Sequence, residues 1–242
     1  MVSNENILFL MNSMLKEDVL LRIKDIGEFL EDSRIEPFYR AMKQNPEAPW
    51  QDIFSKGQIQ SKIWLIQSLK DIEKTDLGTI FLVGGWVGLL PKMMLEDNEL
   101  RIEKFRSFDI DPTCARTADL LNWNNLEEWR FKAQTADALD LDYSRCIYNT
   151  LRANGDKVEL EDSPDTIINT SCDHFDYTKW FNKIPAGKLV IMQNTDYAHD
   201  PSHTHVVPFL KDFQKSVSFS KLLYSDELKL PTSTRFMMIG YK

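Results

Sequence analysis

Short apolar segments alternate with helical patterns in the part of the chain that follows residue 78. Five segments predict buried strands in turn: 79–83, 104–111, 128–137, 165–172 and 188–194. Helical patterns lie between them, and residues 112–123, with an early proline, give a clear one. Strands that alternate with helices are joined by right-handed crossovers into a parallel sheet. We therefore expect an α/β fold of the Rossmann-like type, with helices on both faces of the sheet.

The segment before the first predicted strand is helical in pattern. Apolar residues recur at three- and four-residue spacing through residues 4–75, as they do in amphipathic helices. The strongest of these patterns covers residues 58–73 and places Ile63 on its apolar side. We therefore predict a helical N-terminal cap over residues 1–75, followed by a single α/β domain over residues 76–242.

The end of the chain predicts a closing pair of strands. Residues 217–224 and 235–241 are apolar segments joined by a turn-rich connection. A hairpin at this position would place one antiparallel strand in an otherwise parallel sheet. The predicted architecture is therefore a sheet of mostly parallel strands with a C-terminal antiparallel strand.

Composition narrows the class of protein more than its function. The 242 residues are 43% hydrophobic and 27% charged, and the net charge is −8, as in an ordinary globular protein. Phosphate contacts require basic side chains, so we do not expect nucleic acid as a partner. No apolar run reaches the roughly 20 residues that span a bilayer, and the N-terminus lacks the basic segment of a secretory signal. We expect a cytoplasmic protein without a membrane segment.

The first predicted strand runs into a glycine-rich turn, V-G-G-W-V-G, at residues 83–88. Gly84, Gly85 and Gly88 fit the small positions of a turn that lets the backbone approach a nucleoside ligand at the start of a helix. A tight turn without a ligand would use the same residues. Trp86 occupies the middle position, and we expect its side chain to face the ligand or its entrance rather than the buried core.

The second and third predicted strands end in acidic loops. Asp109, in F-D-I-D-P, follows the glycine turn by about 20 residues, where a carboxylate can bind a ribose diol. Ile110 stands beside it, and Asp111 better suits the alternative role of a helix N-cap. Asp137 and Ala138, in Q-T-A-D-A-L, are placed to contact the amino edge of an adenine, although a solvated turn would also explain the aspartate.

From about residue 79 to residue 242 the chain resembles the class I S-adenosylmethionine-dependent methyltransferases. The matching segments are VGGWVG, FDIDP, TADAL, INTSCDHF and PAGKLVIMQ, with RFMMIGYK as the closing antiparallel strand. The resemblance implies that S-adenosyl-L-methionine is the cofactor. The residues that it assigns to cofactor binding are Gly84, Gly85, Trp86, Gly88, Asp109, Ile110, Asp137, Ala138 and Asn169.

Some positions depart from the pattern of this family. Leu82 stands where the family has an acidic residue, and Trp86 replaces the middle glycine. Lys62, in the helix before the first strand, is a further cofactor candidate that would neutralise the methionine carboxylate, unless it is a surface lysine. The N-T-S-C segment differs from the N/D-P-P-Y/F of amino-directed DNA methyltransferases, so the resemblance does not extend to base methylation.

Asp173 and His174 follow the fourth predicted strand, where enzymes of this family meet the acceptor. A histidine can remove a proton from an acceptor amine or hydroxyl near neutral pH, and an adjacent carboxylate can orient it. We therefore predict these two residues as catalytic. The alternative is that Asp173 caps the following helix and that His174 is only a neighbour.

The loop after the fifth predicted strand holds the remaining three of the four histidines, His199, His203 and His205. The predicted acceptor contacts near this loop are Asn194, Tyr197, His199 and His203. The H-x3-H-x-H spacing, together with Asp200, also raises the possibility of a metal site. Because this loop lacks helical presentation of the imidazoles, the sequence predicts an acceptor pocket and no metal.

The sequence thus predicts an S-adenosylmethionine-dependent methyltransferase that acts on a small molecule or a protein side chain. Methyl transfer is an in-line displacement, so the positioning of donor and nucleophile supplies most of the acceleration. Two alternatives stay open. One is transfer of the aminocarboxypropyl or aminopropyl arm with release of methylthioadenosine, and the other is a non-catalytic nucleoside-binding module. The sequence determines neither the acceptor nor the oligomeric state.

Overall fold

The structure is a computed structural model that describes residues 35–126, 129–151 and 155–242. The helices are α1 (Ile35–Gln44), α2 (Trp50–Ile53), α3 (Lys56–Asp71), α4 (Leu89–Leu95), α5 (Cys114–Leu121), α6 (Tyr177–Lys183) and α7 (Leu210–Ser216), with a 3-10 turn at Trp123–Asn125. The strands are β1 (Asp76–Val83), β2 (Arg101–Asp109), β3 (Phe131–Thr135), β4 (Cys146–Leu151), β5 (Lys157–Asp162), β6 (Thr166–Asn169), β7 (Leu189–Thr195), β8 (Lys221–Lys229) and β9 (Thr234–Tyr241). The helical pattern predicted before residue 35 lies outside the described residues.

Seven strands form one sheet in the order β3-β2-β1-β6-β7-β9-β8. β9 pairs antiparallel with both β7 and β8, whereas β1, β2, β3, β6 and β7 pair in parallel. The predicted sheet and its closing antiparallel strand are therefore confirmed. The strand order reverses between β1 and β6, and in such sheets ligands bind at the carboxyl ends of the strands near the reversal.

The central strand β1 is covered on both faces, which explains its uninterrupted apolar run. Ile80 and Leu82 belong to a core layer that includes side chains of α3, α4 and α5. Phe81 and Val83 belong to the opposite layer, which includes α6 and α7. Parallel strands buried on both faces read as continuous apolar segments. The predicted placement of helices on both faces of the sheet is thus confirmed.

The helices that precede the sheet pack in two different places. Buried residues of α1 and α2 form a third cluster with Val87 and Leu89, at the glycine turn and the start of α4. α3, which begins after the N-cap Ser55, instead packs Leu65 and Leu69 into the core that β1 also lines. The division of the chain at residue 75 stays a prediction, because α3 shares that core.

Several elements differ from the sequence prediction. The antiparallel hairpin β4–β5 and helix α7 were not predicted. The fourth predicted strand was too long, because β6 ends at Asn169 and residues 170–172 form a loop. The predicted apolar side of α3 is also partly wrong, since Ile63 is 52% exposed while Ser61 and Lys62 are buried. Among the described helices, none has the length and apolar character needed to cross a membrane.

Candidate functional site

The glycine turn lies at the carboxyl end of β1, beside the reversal of strand order. Gly84 and Gly88 have positive φ angles of 63° and 80°, which glycine adopts without strain. A Cβ atom on Gly84 would lie 2.9 Å from the side chain of Ser171, and one on Gly85 would collide with the hydroxyl of Ser107. Close packing against the neighbouring loop and strand therefore requires these glycines. Their binding to the cofactor stays a prediction that rests on the backbone of the turn.

Trp86 combines an unusual backbone with a half-buried side chain. Its φ angle is 50°, which is a genuine outlier for a bulky residue. Its backbone N–H donates to Oδ2 of Asp109 at 2.7 Å, so the turn after β1 is tied to the end of β2. The side chain packs against the cluster formed by α1 and α2. Its contact with a cofactor or an acceptor stays a prediction.

Asp109 holds a fixed carboxylate at the end of β2. Besides the bond from Trp86, its Oδ1 accepts the backbone N–H of Asp111 at 3.0 Å. Each carboxylate oxygen can accept a further hydrogen bond, so the group retains capacity for a ribose diol. Ile110, the next residue, is 69% exposed, and this apolar surface beside the carboxylate is of the kind that a nucleoside base would cover.

Asp111 acts locally, although it is not the helix N-cap that the sequence suggested. Its Oδ1 accepts the N–H and the hydroxyl of Thr113, both at 2.8 Å. These hydrogen bonds from Thr113 hold the pKa of Asp111 below its ordinary value. The N-cap position of α5 itself is Thr113, so Asp111 organises the approach to the helix rather than capping it directly.

The loop after β3 lies against the end of β2. The backbone N–H of Ala136 donates to the carbonyl of Asp109 at 2.9 Å. Asp137 accepts the N–H of Leu139 through Oδ1 at 2.8 Å, and both Asp137 and Ala138 are half-buried. The structure thus brings three predicted cofactor segments to one edge of the sheet: the glycine turn, the Asp109 loop and the Asp137 loop.

Asn169 ends β6 with a buried amide that is only half satisfied. Its Oδ1 accepts the N–H of Ser171 at 2.9 Å, whereas its Nδ2 has no hydrogen-bond partner among the described residues. Buried donors without a partner are rare in folded proteins, so this amide is a candidate to bind a ligand. The hydroxyl of Ser171 in turn donates to the carbonyl of Gly84 at 3.4 Å, which places the loop after β6 against the glycine turn.

Asp173, His174 and His203 form one cluster, which we call the acid–imidazole cluster. Oδ2 of Asp173 lies 3.2 Å from Nε2 of His203 and 3.7 Å from Nε2 of His174. The two imidazole rings are 4.7 Å apart between centroids. Asp173 is 1% exposed, and neither of its carboxylate oxygens accepts a hydrogen bond from the described residues. The structure therefore joins both predicted catalytic residues to one predicted substrate residue.

The sequence predicted that both loops lie near the acceptor, but it did not predict the contact of Asp173 with His203. Asp173 and His174 follow β6, whereas His203 belongs to the loop after β7. The backbone N–H of His205 donates to the carbonyl of Asp173 at 2.8 Å, which fixes the loops together. The sequence signal was that all four histidines follow the fourth and fifth predicted strands. The parallel pairing of β6 and β7 places their following loops at one edge of the sheet.

Asp176, and not Asp173, caps helix α6. Oδ1 of Asp176 accepts the N–H of Lys179 at 3.1 Å. Hydrogen bonds, the strongest from the hydroxyl of Thr178, hold the pKa of Asp176 well below its ordinary value. The capping alternative for Asp173 is therefore wrong, because Asp176 is the residue that caps the start of α6.

Asn194 was predicted to contact the acceptor, and this role stays a prediction. The residue is fully buried, its Nδ2 donates to the carbonyl of His205 at 3.0 Å, and its Oδ1 accepts the N–H of Thr195 at 2.7 Å. An amide that is buried and satisfied on both sides holds the loop in place. In this structure both hydrogen bonds of the Asn194 amide are made within the protein.

The three histidines of the loop after β7 do not gather around one point. His199 is exposed and lies against the half-buried ring of Tyr197, with 5.6 Å between centroids. His205 is exposed, and its Nδ1 lies 2.8 Å from the hydroxyl of Thr204. Of the three imidazole rings, only that of His203 forms an ion-pair contact with the carboxylate of Asp173 in the described part of the chain. The acceptor roles of Tyr197, His199 and His203 stay predictions.

Lys62 is buried beside the end of β7. Its Nζ donates to Oε1 of Gln58 at 2.7 Å, so the alternative of a surface lysine is wrong. Burial, followed by the nearby charge of Arg235, lowers the pKa of Lys62 to about 7. The preceding residue, Ser61, accepts the side-chain N–H of Gln193 in β7 at 3.1 Å. Lys62 therefore lies two strands away from β1, and its contact with the methionine carboxylate stays a prediction.

No family model matches the chain, and no curated protein matches its sequence. Solved structures do match its fold. Magnesium protoporphyrin IX methyltransferase from Synechocystis PCC 6803, with bound SAH, aligns with a TM-score of 0.55 and 11% identity over 90% of this chain and 99% of that chain. N-methyltransferase NodS from Bradyrhizobium japonicum WM9, in complex with S-adenosyl-L-homocysteine, aligns with a TM-score of 0.55 and 10% identity over 86% of this chain and 98% of that chain.

A third solved structure with this fold is named as a methyltransferase of small RNA. The small RNA methyltransferase HEN1 aligns with a TM-score of 0.51 and 13% identity over 75% of this chain and 26% of that chain. The chain thus has the fold of the class I S-adenosylmethionine-dependent methyltransferases, as the resemblance of its motifs implied. At these identities the likeness establishes the fold and not the acceptor.

Proposed function

We propose that the protein is an S-adenosylmethionine-dependent methyltransferase. The observation that carries this proposal is the meeting of the glycine turn, Asp109 and the acid–imidazole cluster at the reversal of strand order in a methyltransferase fold. Two structures with this fold, those of magnesium protoporphyrin IX methyltransferase and NodS, contain the demethylated cofactor.

The residues at the edge of the sheet fit this cofactor. Asp109 retains acceptor capacity for the ribose hydroxyls, and the exposed side chain of Ile110 offers an apolar surface to the adenine. Asp137 and Ala138 would contact the adenine edge. The orphaned Nδ2 of Asn169 would donate a hydrogen bond to the methionine carboxylate. When bound, S-adenosylmethionine supplies an electrophilic methyl group on its sulfonium.

The acid–imidazole cluster would serve the acceptor. His174 has a side chain that is 43% exposed, so its imidazole is accessible to an acceptor amine or hydroxyl and can take its proton. The buried carboxylate of Asp173 stabilises the protonated ring. General-base assistance of this type raises the reaction rate by about 10²- to 10⁴-fold. Holding the acceptor in line with the sulfonium methyl group raises the rate further.

The acceptor that we propose is a small molecule, with a protein side chain as the second candidate. The net charge of −8 provides little electrostatic attraction for the phosphates of a nucleic acid. The name of the matched small RNA methyltransferase shows that the fold alone does not decide this point. A cytoplasmic location is part of the proposal.

The test is incubation of the protein with methyl-labelled S-adenosylmethionine and a metabolite extract, with mass spectrometry of both products. We expect S-adenosylhomocysteine together with a labelled acceptor. Release of methylthioadenosine would instead indicate transfer of the aminocarboxypropyl or aminopropyl arm. Binding of the cofactor without any turnover would indicate a non-catalytic nucleoside-binding module.

A further inference from the structure

We propose that Asp173, His174 and His203 bind a divalent transition-metal ion beside the acceptor. The sequence predicted no metal, because the H-x3-H-x-H spacing of a single loop was the only candidate ligand set that it offered. The structure instead assembles two imidazoles and a carboxylate from two loops. The site itself is inferred from geometry alone. Its role toward the acceptor rests on the proposed function and would replace the general-base role of His174, because a ring nitrogen that binds an ion cannot also take the acceptor's proton.

The separations of the donor atoms fit one ion. Ligand atoms at about 2.0–2.2 Å from a tetrahedral metal lie roughly 3.3–3.6 Å from each other. Oδ2 of Asp173 is 3.2 Å from Nε2 of His203 and 3.7 Å from Nε2 of His174. One ligand atom from each of the three residues lies within 4.8 Å of the others. Small rotations of the two rings would complete a three-ligand set.

The hydrogen bonding of His203 prepares its ring for a metal. Nδ1 of His203 lies 2.7 Å from the backbone carbonyl of Tyr197, and a carbonyl can only accept, so Nδ1 carries a proton. In the neutral ring, Nε2 therefore presents a lone pair toward Asp173. A histidine that ligates a metal commonly donates its other N–H to a backbone carbonyl in this way.

The buried carboxylate needs a cation at this position. A lone pair on Nε2 and a carboxylate oxygen repel each other at 3.2 Å, and Asp173 has no hydrogen bond to relieve the charge among the described residues. A metal ion satisfies the carboxylate and both imidazoles at once.

The donor set indicates the class of ion and of acceptor. Two imidazoles and one carboxylate suit Zn²⁺, Fe²⁺, Co²⁺ or Mn²⁺ better than Mg²⁺ or Ca²⁺, which prefer oxygen ligands alone. Three protein ligands leave a coordination position open, and the exposed side of His174 is where it would open. The ion would hold an oxygen atom of the acceptor, so we infer an acceptor with a hydroxyl or carboxylate next to the methylated atom.

The test is a titration of the metal-free, full-length protein with Co²⁺, monitored by the visible d–d absorption of the ion. We expect one equivalent to bind and Zn²⁺ to displace it. His174→Ala and Asp173→Asn should each weaken Co²⁺ binding at least tenfold. His205→Ala is the matched control, because it removes a histidine of the same region whose ring lies outside the cluster, and it should leave the affinity unchanged.

The outcomes separate this proposal from the proposed function. Absence of stoichiometric Co²⁺ binding, or an equal loss in His205→Ala and His174→Ala, overturns the metal site. Asp173 is buried, so the exposed His174 provides a second variant that changes no buried position and keeps the test decisive. S-adenosylmethionine binding is measured separately by calorimetry without metal, so loss of one kind of binding with retention of the other shows which of the two proposals fails.

Discussion

Two buried aspartates, one in the inserted hairpin and one at the carboxyl edge of the sheet, are partnered in opposite ways. Asp162, at the end of β5, accepts hydrogen bonds from Arg106 at 2.7 Å, from Lys104 at 2.9 Å and from the hydroxyl of Tyr148 at 2.6 Å. Asp173 is more deeply buried, yet no described residue donates a hydrogen bond to it.

The difference separates a carboxylate whose partners all belong to the fold from one that we propose to bind a ligand. Burial alone would raise the pKa of Asp162, but the hydrogen bonds from Tyr148, Lys104 and Arg106 outweigh it and hold that pKa below its ordinary value. The fold itself therefore completes the site of Asp162 and anchors the β4–β5 hairpin to β2. The fold leaves Asp173 incomplete, as expected of a carboxylate that awaits a ligand.

The largest expected effect is on stability, at the hairpin. Asp162→Ala leaves Arg106 buried and without its carboxylate, so we expect the free energy of unfolding to fall by about 3–5 kcal/mol. Urea denaturation measures this change. Glu161→Ala, which removes the exposed ion pair with Arg145 on the same hairpin, is the control and should cost less than about 1 kcal/mol. Equal losses in the two variants would contradict the structural role of Asp162.

The second prediction concerns activity at the acid–imidazole cluster. Asp173→Asn should lower the single-turnover rate of methyl transfer about 100-fold or more. Its free energy of unfolding, measured on the metal-free protein, should stay within about 1 kcal/mol of the wild type, because neutralising an unpartnered buried charge removes a cost. A variant that keeps its rate but unfolds as easily as Asp162→Ala would reverse the comparison.

Much of the sheet could be predicted from sequence because its signals are local. The apolar run before Gly84, the acid at Asp109 and the spacing between them are contiguous in the chain, and each was placed correctly at a strand end. The closing antiparallel strand followed from the same reasoning. In the structure these local elements pair in the strand order β3-β2-β1-β6-β7-β9-β8.

The hairpin and the cluster could not be predicted, for physical reasons. Residues 157–162 (KVELED) alternate polar and apolar positions on a largely exposed strand, so they lack the continuous apolar run of a buried strand. The contact between Asp173 and His203 depends on the conformations of two loops, and no periodicity encodes such conformations. The orientation of the Trp86 side chain was predicted from the glycine turn around it, whereas the structure packs that side chain against the cluster of α1 and α2.

A smaller effect is expected on the pH dependence of stability. Asp162 should contribute to the loss of stability at acid pH. Its folded pKa is lowered from the ordinary value of 3.8. Its contribution to stability is therefore fully present above pH 3.8 and is lost as the pH falls toward the folded pKa. Asp162→Asn should lack this part of the acid dependence in thermal unfolding between pH 6 and pH 3. An unchanged slope would mean that the hydrogen bonds to Asp162 do not favour its charged form.

The most direct test of the central claim is the affinity of the protein for S-adenosylmethionine, measured by isothermal titration calorimetry. Wild type should bind one equivalent, and Asp109→Ala should bind at least tenfold more weakly, or about 1.4 kcal/mol. Asp111→Ala, which removes the neighbouring carboxylate that accepts hydrogen bonds from Thr113 at the approach to α5, should bind as wild type does. If Asp109→Ala binds as tightly as wild type, the cofactor site is not at the end of β2.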